Sequence, residues 1–232
     1  MAVQTLRVAP RPRDYVGVRG ADAEDFLQRM VSNDVTQAPC DALLLTAKGR
    51  IVAPLRVLRR GGDDFLLLTE PGLGEAVRTT LLRARFAAKC EIEPEEHTSV
   101  LVWDGDFSVA EEQLDAETEP TATEADVERA RIEAGVPAWG KEIDDSILPA
   151  EAGLDRTHIS FAKGCYPGQE PVARLHHRGH ANRGLRVLEM DAVPGAEIRH
   201  QGRVVGRVTS AVPGAALAYV RVEVPADAEL EL

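Results

Sequence analysis

Three apolar runs, LLLT (43–46), IVAPLRVL (51–58) and FLLLT (65–69), constrain the fold more than any other feature of this chain. Lys48-Gly49-Arg50 and Gly61-Gly62-Asp63-Asp64 separate them. Short aliphatic runs punctuated by such turn residues predict successive antiparallel hairpins. Pro54 has no N–H to give a ladder, so its place in the middle run predicts an edge position or a bulge. Upstream, Asp22 is placed to cap a helix carrying Phe26, Leu27, Met30 and Val31 on one face. That helix should stop near Ser32-Asn33-Asp34, residue types that favour caps and turns. Downstream, a helix is predicted from about Gly74 to Phe86 with Val77, Leu81 and Ala84 inward. Strand-like runs follow around 90–92 and 99–103.

The stretch 104–128 breaks this pattern, with ten acidic residues, no Lys or Arg, and few large apolar side chains. Low hydrophobicity with like charge predicts a solvated connection there, a specific acidic docking surface being the alternative. A helix should begin near Thr123, with Asp126 completing an imperfect capping box, Val127, Ala130 and Ala134 inward, and Gly135 with Pro137 ending it. In 185–232, the runs LRVLEM, RVVGRVTSAV and ALAYVRVEV are broken by Pro-Gly at 194–195 and 213–214 and by Gln201-Gly202. That spacing predicts a small antiparallel barrel or sandwich.

Charge and cysteine usage limit the function classes. The 27 basic and 38 acidic residues leave a net −11, which predicts no nucleic acid and no anionic membrane as a chain-wide partner, while a local basic site stays open. No apolar run approaches the roughly 20 residues a spanning helix needs. The opening MAVQTLRVAPRPRDY lacks the continuous apolar stretch of a secretory signal. Cys40, Cys90 and Cys165 are far apart, so neither a disulfide framework nor a CxxC metal clip is present. A reduced, cytoplasmic, monomeric protein is expected.

The chemistry concentrates in Lys163-Gly164-Cys165-Tyr166-Pro167-Gly168-Gln169-Glu170 and continues to Arg174. Two glycines and a proline in so short a span predict a tight, irregular backbone that presents side chains. Cys165, near Lys163 and among amides freed by the turn, is either a reactive thiol or a packed apolar one. Cys40 and Cys90 lack such neighbours and are assigned to packing. His176, His177 and His180 raise a metal site, but adjacent histidines and their distance from Cys165 fit no zinc spacing, so no metal is expected. Arg174, Arg178 and Arg183 favour instead a local pocket for a carboxylate or phosphate. Glu133, in the last turn of its predicted helix, is disfavoured there by the helix dipole. It is either solvated and paired to Arg129 or held for a ligand that offers two parallel N–H groups.

The run 163–170, with Ala173 and Arg174 after it, resembles the K-G-C-[FY]-x-G-Q-E-x-x-A-R signature of the YgfZ-type folate-binding proteins. These are relatives of the glycine-cleavage T-protein (aminomethyltransferase) linked to iron–sulfur cluster assembly or repair. RGADAEDFLQRMVSNDV (19–35), LLTAKGRIVAPLRVL (44–58), ARIEAGVPAWGKEI (130–143) and RVVGRVTSA (203–211) resemble further blocks of that superfamily in order. The resemblance implies an α+β fold of mixed antiparallel sheets and helices around a central folate cleft, with a small C-terminal β-barrel. Its expected parts are a folate-binding-type domain over 1–103, the acidic connection over 104–128, the rest of the core with the motif over 129–184, and the barrel over 185–232.

By the same resemblance Glu133 holds the amino edge of the pterin, and Asn33, Tyr166, Gln169, Glu170 and Arg174 lie around the folate. Cys165 is the functional residue, with Lys163 beside it. T-proteins carry paired aspartates where this chain has Ala53 and Pro54, neither able to support a charged amine or move a proton. The expectation is therefore a tetrahydrofolate-binding accessory protein whose partners are a folate or one-carbon derivative and iron–sulfur proteins. A folate-dependent aminomethyltransferase is the alternative, and a scaffold that has lost its ligand is a third reading.

Overall fold

The computed structural model describes residues 6–232, so the first five residues of the opening read above for a signal lie outside it. In chain order the elements begin with β1 (Arg7–Pro10), β2 (Asp14–Arg19), α1 (Ala23–Met30), β3 (Cys40–Leu45), β4 (Ile51–Gly61), β5 (Asp64–Thr69), α2 (Gly74–Ala84) and β6 (Glu91–Glu95). They continue with β7 (Ser99–Trp103), β8 (Glu111–Leu114), α3 (Glu124–Glu133), α4 (Gln169–Arg178), β9 (Arg183–Leu188), β10 (Glu197–His200), β11 (Arg203–Val212) and β12 (Ala215–Arg221). Two compact units form from interleaved segments. One comprises Pro12–His97 and Asp144–His180; the other comprises the chain up to Arg11, Thr98–Ile143 and Ala181–Leu232.

In the first unit the three apolar runs become β3, β4 and β5, extended to a five-stranded antiparallel sheet of order β3-β4-β5-β2-β6. β4 is an interior strand, which corrects the edge half of the expectation for Pro54, while a bulge does lie close by, where the β3–β4 register shifts between Ala53 and Ile51. Pro54 pairs with Leu43 of β3, and pairing with β5 begins only at Leu55, so the missing N–H falls where β4 has one neighbour. The Thr69 hydroxyl donates to the Pro54 carbonyl at 2.8 Å and closes that corner. α1 buries Ala23, Phe26, Leu27 and Met30, and α2 buries Val77 and Leu81, in one core with the sheet. Asp22 stands at the start of α1 without capping it through its side chain. Its carboxylate accepts from Lys89 N at 2.7 Å instead.

In the second unit β7 pairs with both β1 and β8. Part of the acidic stretch is thus a strand: Glu111–Leu114 alternates exposed and half-buried residues along the β7 edge, with Glu111 outward and the half-buried Glu112 carboxylate accepting from the Ser99 hydroxyl at 2.8 Å. α3 starts on the expected box, which is complete: the Thr123 hydroxyl accepts from Asp126 N, and the Asp126 carboxylate accepts from Thr123 N. The C-terminal runs form an antiparallel sheet of order β10-β11-β12-β9 with its own core of Leu188, Ile198, Val208, Ala216, Ala218, Val220 and Val224. Ile132 of α3 packs on Ala215 and Leu217 of β12. Among the described residues no helix is long and apolar enough to cross a membrane.

Candidate functional site

The motif is held by the tip of the β3–β4 hairpin. Gly168 has φ +81°, and a Cβ there would collide with the carbonyl oxygen of Thr46, so backbone meets backbone at a point that only glycine fits. Gly49 at the hairpin tip has φ +74° and lies against the Pro171 ring. α4 springs from this contact, a helix the sequence reading did not anticipate. Pro171 is tolerated because it falls in the first turn, where amide N–H groups have no helical acceptor.

Lys163 points back to the end of α1, donating to the carbonyl of Val31 at 2.8 Å and of Asn33 at 2.7 Å. Its ammonium also lies 5.6 Å from the centre of the Tyr166 ring. Burial pulls its pKa down to about 8, against the opposing influence of the Asp34 carboxylate and the Cys40 thiol. Asn33 is likewise bound into the fold. Its Nδ2 donates to the carbonyls of Asp41 (2.7 Å) and Thr157 (3.1 Å), and its Oδ1 accepts from Asp34 N. Ser32 completes the clip, donating to the His158 carbonyl at 2.6 Å and accepting from Leu43 N at 2.8 Å.

Cys165 is exposed at the crest of this pinned turn. Cys40 is half-buried and donates weakly to the Asp34 carbonyl at 3.6 Å; burial pushes its thiol up to about 11, and burial raises Cys90 as well. Tyr166 is buried, and its hydroxyl has no hydrogen-bond partner among the described residues. Burial pushes its pKa up to about 12. Gln169 is half-buried at the start of α4, and Glu170 and Arg174 are exposed along it. Among the described residues no three His, Cys, Asp or Glu side chains gather as a metal ion would require. The structure thus brings Lys163, Cys165, Tyr166 and Asn33 together around the end of α1.

Glu133 belongs to the other unit. It is exposed at the end of α3, with Arg129 Nη1 3.0 Å from its Oε1. With Arg7, Trp103, Asp106, Phe107 and Arg129 it lines a cleft of about 380 Å³. Trp103 and Phe107 meet edge to face there, with centroids 5.2 Å apart. The buried polar centre nearby in sequence is Glu142, which sequence reasoning assigned no role. Its carboxylate is sealed from solvent, accepting from Arg131 at 2.9 Å, Ala138 N at 3.0 Å and the Ser210 hydroxyl at 2.5 Å. Arg131 and Glu142 are the first and last fixed residues of the R-x-E-A-G-x-x-x-x-G-x-E block, the one signal that could have marked them.

Comparison with known proteins meets this geometry from three directions. Residues 181–232 match the model of the CAF17 C-terminal beta-barrel domain. A protein of Haemophilus influenzae is 27% identical over 226 residues, covering 85% of this chain and 81% of its own. The tRNA-modifying protein YgfZ of Escherichia coli O45:K1 is 28% identical over 225 residues, covering 75% of this chain and 69% of its own. The glycine cleavage system aminomethyltransferase T from Bartonella henselae superposes with a TM-score of 0.78 at 16% identity, over 94% of this chain and 79% of that one. The chain is similar to the YgfZ-type proteins in sequence and to the glycine-cleavage T-protein in fold. The mixed α+β architecture with a C-terminal barrel domain stands as expected from the resemblance. Ala53 is buried in β4 and, with Pro54, offers no side-chain polar group.

Proposed function

We propose that this chain binds tetrahydrofolate or a one-carbon derivative and serves iron–sulfur cluster assembly or repair through Cys165. The observation that carries the reading is an exposed cysteine on a turn immobilised by the Lys163 bonds and the Gly168 contact. A fixed, solvent-facing thiol suits exchange with a partner protein better than it suits packing. Folate fits the donor set present. Glu133 can accept from an amino-heterocycle edge if it exchanges Arg129 for the ligand, and the buried Tyr166 hydroxyl lacks the partner a ligand would supply. Asn33, Gln169, Glu170 and Arg174 are proposed folate contacts, Arg174 with the carboxylate tail. The Escherichia coli relative is named a tRNA-modifying protein, and an accessory role would meet that name if the iron–sulfur enzymes served are ones that modify tRNA.

Titration calorimetry with tetrahydrofolate tests the binding half. Wild type and Cys165→Ser should bind alike, and Glu133→Gln should weaken binding by about 1–3 kcal/mol. No heat from a folded wild type at millimolar ligand would remove folate, and an unaltered Glu133→Gln affinity would remove Glu133. In cells lacking the native chain, Cys165→Ser should fail to restore iron–sulfur enzyme activity.

The T-protein-like fold favours a second reading, aminomethyl transfer. Ala53 and Pro54 stand against it, since neither can replace an acid beside a charged amine. One-carbon release that survives loss of Cys165 would support it.

A further inference from the structure

The C-terminal half of α4 and the segment before the motif bring together rings and cations for which the folate reading has no use. Phe161 stacks on His176 with centroids 3.8 Å apart and planes 16° apart. His177 meets both rings edge-on, 6.1 Å from Phe161 and 5.0 Å from His176. The His176 side chain is 43% exposed, His177 is exposed, and Phe161 is half-buried, so the stack opens to solvent. Arg178 ends α4 beside His177. Arg156 is exposed next to Asp155, whose carboxylate lies 4.0 Å from His176 Nδ1. Neither guanidinium has a hydrogen-bond or ion-pair partner among the described residues.

Cations in the last turn of a helix often answer its dipole, which accounts for Arg178 and the two histidines. It does not account for Arg156, which sits on a separate 3₁₀ turn, or for the stacking of Phe161. Charge is also distributed unevenly. Residues 156–183 carry five Lys or Arg, four His and one acid, Glu170, in a chain whose net charge is −11.

We propose that this ring-and-arginine surface binds an unpaired stretch of nucleic acid, with phosphates on Arg156 and Arg178 and a base on the Phe161–His176–His177 rings. A guanidinium fork matches a phosphate, and every base offers a π-face to stack. An acidic protein surface would satisfy the arginines equally but leave the rings without a role, and so would a duplex. The overall negative charge does not forbid the contact, because charges more than about 8 Å apart are largely screened at physiological salt. The proposal departs from the expectation of no nucleic acid at one local surface only, the kind of basic site the chain-wide balance left open. The proposal is independent of folate binding.

Fluorescence anisotropy on the full chain tests it, with a labelled single-stranded RNA of about 12 nucleotides, the DNA of the same sequence, and the RNA duplex. Both single strands should bind, and the duplex should bind markedly more weakly. The Arg156→Gln, Arg178→Gln double variant should flatten the slope of log affinity against log salt by about 1.4, the share of two phosphates on a single strand. His177→Ala, at an exposed position, should lose on the order of 5- to 150-fold on single strands and leave the duplex unchanged. Circular dichroism confirms that each variant is folded. Duplex binding as tight as single-strand binding, equal displacement by polyglutamate, unaltered affinity in His177→Ala, or no binding by the folded chain at low salt would each overturn the proposal.

Discussion

Lys163 Nζ lies 2.8 Å from the carbonyl oxygen of Val31, the residue that closes α1. A side chain 132 positions away in sequence thereby satisfies a carbonyl at the end of a helix, and a second bond to the Asn33 carbonyl fixes the angle at which the motif leaves the core. The lysine works as a tie between α1 and the turn that carries Cys165.

Lys163→Met should therefore destabilise the protein by roughly 1–3 kcal/mol at neutral pH, because two partly buried carbonyls lose a charged donor. The pH dependence has a definite sign. Burial depresses the folded-state pKa from 10.5 to about 8, so between those values the unfolded chain holds a proton that the folded chain has released. Stability then rises with pH across that window, and the gap between wild type and Lys163→Met should widen from pH 8 towards 10.5. Urea denaturation at several pH values measures it; a gap that narrows would show that the ammonium is favoured by folding.

Gly168→Ala should cost at least about 2 kcal/mol, combining a left-handed backbone with a collision at the Thr46 carbonyl. Gly164 has open space around it, and Gly164→Ala should change stability by no more than about 0.5 kcal/mol. Alkylation of Cys165 adds a local readout: it should quicken in Gly168→Ala as the turn loosens and stay near the wild-type rate in Gly164→Ala. Equal stability of the two variants would mean that the hairpin tip yields to the motif.

The hairpins, α1, α2 and the α3 capping box were legible because each is specified by neighbours in sequence. Gly49 and Gly61–Asp64 supply the turns, and Thr123 with Asp126 closes its box over three residues. α4 was not legible. Its sequence QEPVARLHHR buries only Val172, and its start depends on Gly168 meeting Thr46, a contact between distant segments. The pairing of β7 with β1 was hidden for the same reason, since nothing in either run names its partner. At the site, the motif predicted a tight turn but left Cys165 either reactive or packed, and the roles of its neighbours are set by long-range acceptors: Val31 and Asn33 for Lys163, Asp41 and Thr157 for Asn33. Glu133 illustrates the limit from the other side, for its i,i+4 pairing to Arg129 is the local option, and that pair is formed.

Arg131 and Glu142 predict a large effect far from the motif. Glu142 is fully buried, and its carboxylate is matched by Arg131, Ser210 and Ala138 N, while Arg131 also bonds Glu128. Removing one member of a buried pair leaves the other charge uncompensated, so Arg131→Met should destabilise by about 3–5 kcal/mol. The double variant Arg131→Met, Glu142→Leu should recover part of that loss. Denaturant midpoints of the two variants and wild type decide it, and a double variant less stable than Arg131→Met would show that Ser210 and Ala138 depend on Glu142 alone.

Tyr166→Phe separates a packing role from a ligand role. The hydroxyl is buried without a partner, and a buried polar group in that state costs roughly 1–3 kcal/mol relative to a hydrogen-bonded one. Deleting it keeps the ring, and with it the Lys163 ammonium 5.6 Å from the ring centre. In the absence of ligand, Tyr166→Phe should therefore be as stable as wild type or more so, by up to about 1 kcal/mol. If the hydroxyl meets the folate, the same variant should bind tetrahydrofolate on the order of tenfold more weakly, the worth of one lost hydrogen bond. Thermal melts with and without tetrahydrofolate read both quantities in one experiment. A variant that is less stable without ligand would mean that the hydroxyl is satisfied within the protein, and one that binds as wild type does would take Tyr166 out of the proposed folate contacts.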